Sequence, residues 1–413
     1  MKRWRVPVLF VSLGWLWSAS AGQVQDAPIL KWDAVAARAM VGPAALAAQA
    51  RFRAAQAGVS EARQYPNPEF TLRRGRSDDL NGAGPAAVWG IEVGLPLESV
   101  RLRAYRQRLA ATGVEIARWE EEVVRLEVLR ELRLLYLAVA HDQALAASYA
   151  ASLDHLARLV EGVRMRVTQG EARPIELVRL EGEQAEAQAE AQAVAADAAA
   201  NRQRLALWLG PDGPTDFRVV PDLEPLPPLP PLAQVSTRLR ASHPLLKAAR
   251  TSVQQAEAQV GVARQAVLPG VLLGGAYDRE AGAPTYTGML TVAVPLWNWN
   301  RGGVAVARAE RQRAVHGVEL LERQLEEEAI RLHGKATGAH LAVAQYTARI
   351  LPNSGAVLAA VERSYRAGET SLLDLLDARR QAVRTRVAYL GLLAEYRSLW
   401  TELNTLTGGM SND

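Results

Sequence analysis

The residues of this chain best suited to chemistry are six histidines, His141, His155, His243, His316, His333 and His340, and the acids near two Gly-Glu dipeptides, Gly170-Glu171 and Gly368-Glu369. A helical zinc pair needs histidines at i and i+4, and no two of the six have that spacing. His333 and His340 stand seven apart, which can put them on one helical face; ordinary surface histidines are the plainer account. With no cysteine in the sequence, thiolate metal sites and disulfides are excluded. No phosphate-binding glycine loop and no nucleophile motif is recognisable. What remains is carboxylate chemistry at Glu176, Asp374 and Asp377, and acids at the start of a helix complement its dipole. No catalytic, cofactor-binding or metal-ligating set is expected.

The elements that position these acids belong to a chain read as exported. Lys2, Arg3 and Arg5 precede an apolar stretch from Val6 to Trp17, and Ala19, Ser20 and Ala21 follow, the order of a signal peptide cleaved after Ala21. That apolar core is shorter than the roughly 20 residues a spanning helix requires. Without cysteine there is no thiol to carry an N-terminal lipid. Removing the three basic residues of the signal takes the formal charge from +4 to +1, which gives no reason to expect nucleic acid. No later segment has the ~18 consecutive apolar residues of a membrane helix, so a membrane-inserted chain has to cross as a β-barrel.

Matched landmarks run through the two halves: Pro43 with Pro244, Pro68 with Pro269, Pro96 with Pro295, and Gly170-Glu171 with Gly368-Glu369. Their offsets, 201, 201, 199 and 198, point to a duplicated unit. The expected organisation is a signal peptide at 1–21, a first repeat at 22–220, a proline-rich connector at 221–231 and a second repeat at 232–413. Pro221, Pro225, Pro227, Pro228, Pro230 and Pro231 disfavour helix and make the connector an extended spacer.

Each half predicts an Ala-rich helix (Pro43 to Ala62, Pro244 to Val267) and then two strands, Glu69 to Arg73 with Trp89 to Leu95, and Gly270 to Tyr277 with Tyr286 to Leu296. Trp89, Ile91, Val93 and Leu95 alternate with Gly90, Glu92 and Gly94, and Leu290, Val292 and Val294 alternate with Thr291 and Ala293. Soluble hairpins are the alternative, but they would leave an apolar row in water. Long helices follow. On the first, Val124, Val128, Leu132, Leu135 and Val139 step by four and three, a seam on a helix of roughly 70 residues and about 100 Å. Val318, Leu321, Leu325, Ala329 and Leu332 repeat the seam, and helices return through Ala185 to Ala200 and Leu372 to Leu403. Four strands cannot close a membrane barrel, the smallest of which have about eight. Three copies supply twelve, wide enough for an aqueous passage.

Tyr365-Arg366-Ala367-Gly368-Glu369, followed by Leu372, Leu373, Asp374, Leu375, Leu376 and Asp377, carries a resemblance, as does its counterpart Gly170-Glu171 with Ile175, Glu176 and Leu177. With the proline-bounded strand pairs, these residues resemble the TolC-like outer membrane efflux proteins, the outer-membrane factors of tripartite pumps. The resemblance implies a mainly α fold with a transmembrane β-barrel: a homotrimer whose 12-stranded barrel continues as an α-helical barrel into the periplasm. It implies a passive conduit with no cofactor and no catalysis. Its partners would be outer-membrane lipid, a periplasmic adaptor and, indirectly, an inner-membrane transporter.

The same resemblance implies roles for particular residues. Arg166, Gly170, Glu171, Arg366, Gly368 and Glu369 would meet the adaptor at the far tip. Glu176, Asp374 and Asp377 would line the pore entrance as three-fold rings that attract cations. Trp89, Ile91, Val93, Leu95, Leu290, Val292 and Val294 would form the barrel's outer face. TolC itself has an arginine two residues after the glycine of its second turn, where this chain has Thr370. Pro295-Leu296-Trp297-Asn298-Trp299-Asn300-Arg301-Gly302-Gly303 resembles the barrel exit of the CzcC-like heavy-metal branch, which makes metal cations the expected cargo. Drug or polypeptide export is the alternative within the family, and a periplasmic adaptor or long-helical scaffold the alternative outside it. Trp297 and Trp299 suit an aromatic girdle, and Arg101, Arg103, Arg106 and Arg108 a basic row at the lipid boundary.

Overall fold

A computed structural model describes residues 27–77, 86–210, 213–220, 223–267, 270–280 and 283–409; the signal segment, Pro221 and Pro269 lie outside them. The chain order is β1 (Ile29–Leu30), α1 (Trp32–Ala39), α2 (Pro43–Arg63), β2 (Glu69–Ser77), β3 (Ala86–Leu97), α3 (Val100–Thr168), α4 (Pro174–Leu209) and β4 (Arg218–Val219), then α5 (Leu232–Ser242), α6 (Pro244–Gln265), β5 (Val271–Glu280), β6 (Ala283–Val292), α7 (Arg301–Gln345), α8 (Leu351–Arg366) and α9 (Leu372–Leu406). Two short helices, a strand pair and two long helical arms thus occur twice. Proline opens α2, α4 and α6, where its missing N–H costs no helical bond.

The 69 residues of α3 span about 100 Å at 1.5 Å each. Its counterpart is not uniform. Between α7 and α8 lies one π turn, Tyr346–Ile350, just ahead of Pro352. Proline lacks the donor for an i→i−4 bond and crowds the preceding carbonyl, and the wider turn accommodates both defects without ending the rod.

Each half has its own core. Val35, Ala39, Leu132, Tyr136, Val139 and Leu205 pack in the first, and Val235, Leu239, Leu332, Ala336, Tyr396 and Leu403 in the second. Val35 and Val235, like Leu132 and Leu332, are 200 residues apart. The predicted seam on α3 is the buried one, with Val128, Leu132, Leu135 and Val139 buried. The halves join where α6 crosses α3 at Gly261, whose Cβ would stand 2.3 Å from the Tyr105 ring.

Residues 223–231 of the proline-rich connector form no helix or strand, and they are docked on the second half where a free spacer was expected. Leu223 is buried, Arg397 Nη2 donates to the carbonyl of Pro225 (2.8 Å), and Tyr396 OH donates to that of Pro227 (2.5 Å). His333 Nε2 lies 3.0 Å from the Pro230 carbonyl, and the His340 ring packs on Tyr396 at 5.3 Å. The histidines seven apart therefore have structural partners, since burying the connector requires donors for its carbonyls.

Candidate functional site: the strand wall and the helical tip

At one end the strands form a single antiparallel sheet in the order β2-β3-β5-β6, so the strand pairs of the two halves join through β3 and β5. Register fixes which residues share a face. Phe70 and Leu72 of β2, Trp89, Ile91, Val93 and Leu95 of β3, Leu273 and Tyr277 of β5, and Tyr286, Leu290 and Val292 of β6 fall on one side. Trp89, Ile91, Val93 and Leu95 are 39–43% exposed, while Gly90, Gly94 and Ala276 of the opposite face are buried. An exposed apolar face running across four strands is the pattern of a lipid-facing wall. β6 ends at Val292, so Val294, expected to continue the outer face, lies beyond the strand. Sequence reasoning also missed an aromatic row near the hairpin ends: Trp89 lies 5.3 Å from Tyr277, and Tyr277 lies 5.2 Å from Tyr286.

The opposite face carries a charged cluster. Arg73 Nη2 is 3.4 Å from Glu92 Oε2 and 3.5 Å from Asp278 Oδ2, across three strands. Gly90 makes this possible, because a Cβ there would come within 2.0 Å of Asp278 Oδ1.

Below the sheet, Asn300 adopts a left-handed conformation (φ 48°) at the start of α7. Its side chain donates to the Ala263 carbonyl of α6 at 2.8 Å, and a Cβ on Gly303 would collide with it at 2.3 Å. The Asn-Arg-Gly-Gly end of the exit motif thus ties the strand exit to α6. Trp297 and Trp299 before it are 91% and 54% exposed. Two of the four arginines expected at the lipid boundary are engaged elsewhere. Arg103 donates to the Arg63 carbonyl (2.5 Å) and Arg106 to that of Gln64 (3.2 Å), satisfying the C-terminus of α2.

At the far end of the arms two turns reverse the chain. In the first, Glu171 N–H donates to the Arg166 carbonyl (2.8 Å) and Gly170 N–H to that of Val167 (3.1 Å). In the second, Glu369 pairs with Ser364 (2.9 Å) and Gly368 with Tyr365 (3.0 Å) in the same way. Gly170 and Gly368 have φ of 78° and 77°, the left-handed cap of a Schellman motif. Leu156, Val160, Val163, Leu180, Leu372, Leu375 and Leu376 pack the two hairpins together, and Arg380 clamps Glu183 across them. Glu171 and Glu369 are exposed, as are Arg366 and Asp377, while Arg166 is half-buried over the Tyr365 ring at 6.0 Å.

The acids differ in what they touch. Asp374 Oδ2 accepts from the Ser371 hydroxyl (2.6 Å) and the Ser371 N–H (3.1 Å), closing a capping box. These bonds, the hydroxyl's first, hold the Asp374 carboxyl below the usual carboxylate range. Glu176 is half-buried, 3.5 Å from Arg173 Nε. Burial pushes the Tyr365 phenol up, and its hydroxyl and that of Thr370 are buried without a hydrogen-bond partner among the described residues.

A sheet with one exposed apolar face, set on rods of about 100 Å that end in paired turns, has relatives. Residues 235–409 match the sequence profile of the family described as Outer membrane efflux protein. The chain is 24% identical over 356 residues to the cobalt-zinc-cadmium resistance protein CzcC of Cupriavidus metallidurans, covering 86% of this chain and 84% of that one. Its fold is that of CusC (TM-score 0.79, 17% identity, 99% of both chains). It is also that of the MtrE outer membrane channel of Neisseria gonorrhoeae (TM-score 0.75, 17% identity, 92% of this chain and 89% of that one). Over residues 235–409 the chain thus carries the profile of the outer membrane efflux proteins, and from end to end it has the fold of CusC.

Proposed function

We propose that three copies of this chain close a 12-stranded barrel in the outer membrane and form the exit duct of a tripartite pump. The observation that carries this is the sheet: its apolar face is exposed, and β2 and β6 each have an edge with no partner among the described residues. In lipid such edges must pair, and pairing β6 of one copy with β2 of the next satisfies them. The chain reads as two repeats, 22–220 and 232–413, that each supply one strand pair and one helical hairpin to the duct. Its cargo is heavy-metal cations, a reading supported by the name of the CzcC relative and by the exit motif. Arg166, Gly170, Glu171, Arg366, Gly368 and Glu369 present the periplasmic tip to an adaptor, and Glu176, Asp374 and Asp377 line its entrance.

Reconstitution of the purified protein in a planar bilayer tests the duct. The expected result is a trimer with ohmic conductance, and a water-soluble monomer overturns the reading. In the native host, loss of the gene should lower tolerance to cobalt, zinc or cadmium; sensitivity confined to organic drugs replaces the cargo and keeps the channel. Glu171→Arg with Glu369→Arg should abolish adaptor cross-linking and leave barrel insertion intact. Loss of insertion with normal adaptor binding would invert the assigned orientation.

A further inference from the structure

The outward face of the sheet does not end in apolar residues. Near the hairpin ends the register puts Arg74 of β2 and Arg279 of β5 on either side of Trp89, with Arg76 one step further along the same face. All three are exposed, and among the described residues none has a carboxylate partner. This separates them from Arg73, which faces the other way and is held by Glu92 and Asp278. Arg74 and Arg279 stand two strands apart, about 10 Å between backbones, so their forks can converge over Trp89 on a single phosphate.

Beside them on the same face the wall is hollowed. Gly275 and Gly288 pair directly across β5 and β6, and Ile91, Val93, Tyr277 and Tyr286 border the apolar depression above them. The backbone does not require glycine at either position: a Cβ on Gly275 would meet nothing nearer than 3.9 Å, and one on Gly288 nothing within 4 Å. What glycine leaves there is room.

The geometry points to a site for an anionic, phosphate-bearing lipid of the outer leaflet. Arg74 and Arg279 hold the headgroup phosphate, and an acyl chain lies in the Gly275–Gly288 depression against the rings of Tyr277 and Tyr286. The site rests on the outward orientation of this face proposed above. Charge and depth agree with it. Eight residues separate Leu97 from Trp89, about 27 Å along a strand and roughly 20 Å of height once tilted, so the arginines cap an apolar band of membrane thickness. A guanidinium at that border meets phosphate oxygens with two parallel bonds, which a zwitterionic headgroup offers less readily.

The test uses the assembled protein in phosphatidylcholine nanodiscs with and without diphosphoryl lipid A, with retained lipid counted by native mass spectrometry. Lipid A should be retained over phosphatidylcholine, and Arg74→Gln with Arg279→Gln should weaken retention roughly tenfold or more. Gly275→Leu with Gly288→Leu should also lower retention while the oligomer persists, and Arg73→Gln should leave it unchanged. Lipid A stripped of its phosphates should behave toward the wild type as diphosphoryl lipid A does toward the arginine variant. Equal retention by wild type and arginine variant overturns the site, and a thermal shift with inorganic phosphate alone overturns the lipid assignment. Failure to form a nanodisc-embedded oligomer counts against the channel itself.

Discussion

The two turns at the tip solve one half of their problem identically and the other half differently. Both end the incoming helix with a left-handed glycine and the same pair of backbone bonds. They diverge in starting the outgoing helix. The first relies on Pro174 at its opening position, with Arg173 as a cap whose side chain makes no capping bond. The second uses the reciprocal Ser371–Asp374 capping box. Chain reversal fixes the glycine, because other residues pay a steric penalty at positive φ, whereas helix initiation has several chemical answers. The difference between the two turns falls on the part with alternatives.

The largest effect should come from removing what the two turns share. Gly170→Val and Gly368→Val should each cost about 1–2 kcal/mol locally, and by similar amounts, since a Cβ meets nothing within 4 Å at either site. Hydrogen exchange of the Glu171 and Glu369 amides measures this, and a large difference between the two would show that the turns are not equivalent. Ser371→Ala comes next, with about 1 kcal/mol lost from the start of α9 and no equivalent loss available at α4. Arg173→Ser should close part of the gap by giving α4 a capping side chain, a gain of roughly 0.5 kcal/mol read from exchange in its first turn.

Acid should then separate the turns without mutation. The carboxyl of Asp374 is depressed in the folded protein, so its contribution is present above the unfolded value near 3.8 and is lost as pH falls through the lower folded value. Exchange at the start of α9 should therefore rise in that acid range, and Ser371→Ala should flatten the dependence. The smallest effect belongs to Arg173→Ala, which removes a solvent-facing ion pair with Glu176 and should change stability by less than about 0.5 kcal/mol.

Much of this architecture is legible in the sequence because it rests on local rules. The steps from Val124 to Val139 predict the buried seam, proline-free length predicts the rod, and Gly170 and Gly368 are where a helix needs positive φ. What is not legible depends on pairing. On β5, Leu272 and Leu273 lie on opposite faces, so alternation alone does not say which of them joins the apolar row of β3; the register with β3 decides it. The Trp89, Tyr277 and Tyr286 row is assembled only by that register. The donors for the connector carbonyls come from His333, Tyr396 and Arg397, more than 100 residues away along the chain. Pro352 announces a defect in the second rod, but a kink, a break and a π turn are all compatible with one proline.

The open edges of the sheet make the last folding step a matter of encounter. In the proposed three-chain wall, the two rows of N–H and C=O groups left open among the described residues of each copy pair with other copies, so closure proceeds at a rate and to an extent set by how many are present. A lone chain waits with the most association-prone kind of surface uncovered, and any strand of another protein is a rival for it. Such a chain profits from reaching the membrane quickly and in numbers. Dilution, more than any single substitution, is what should leave it unfinished.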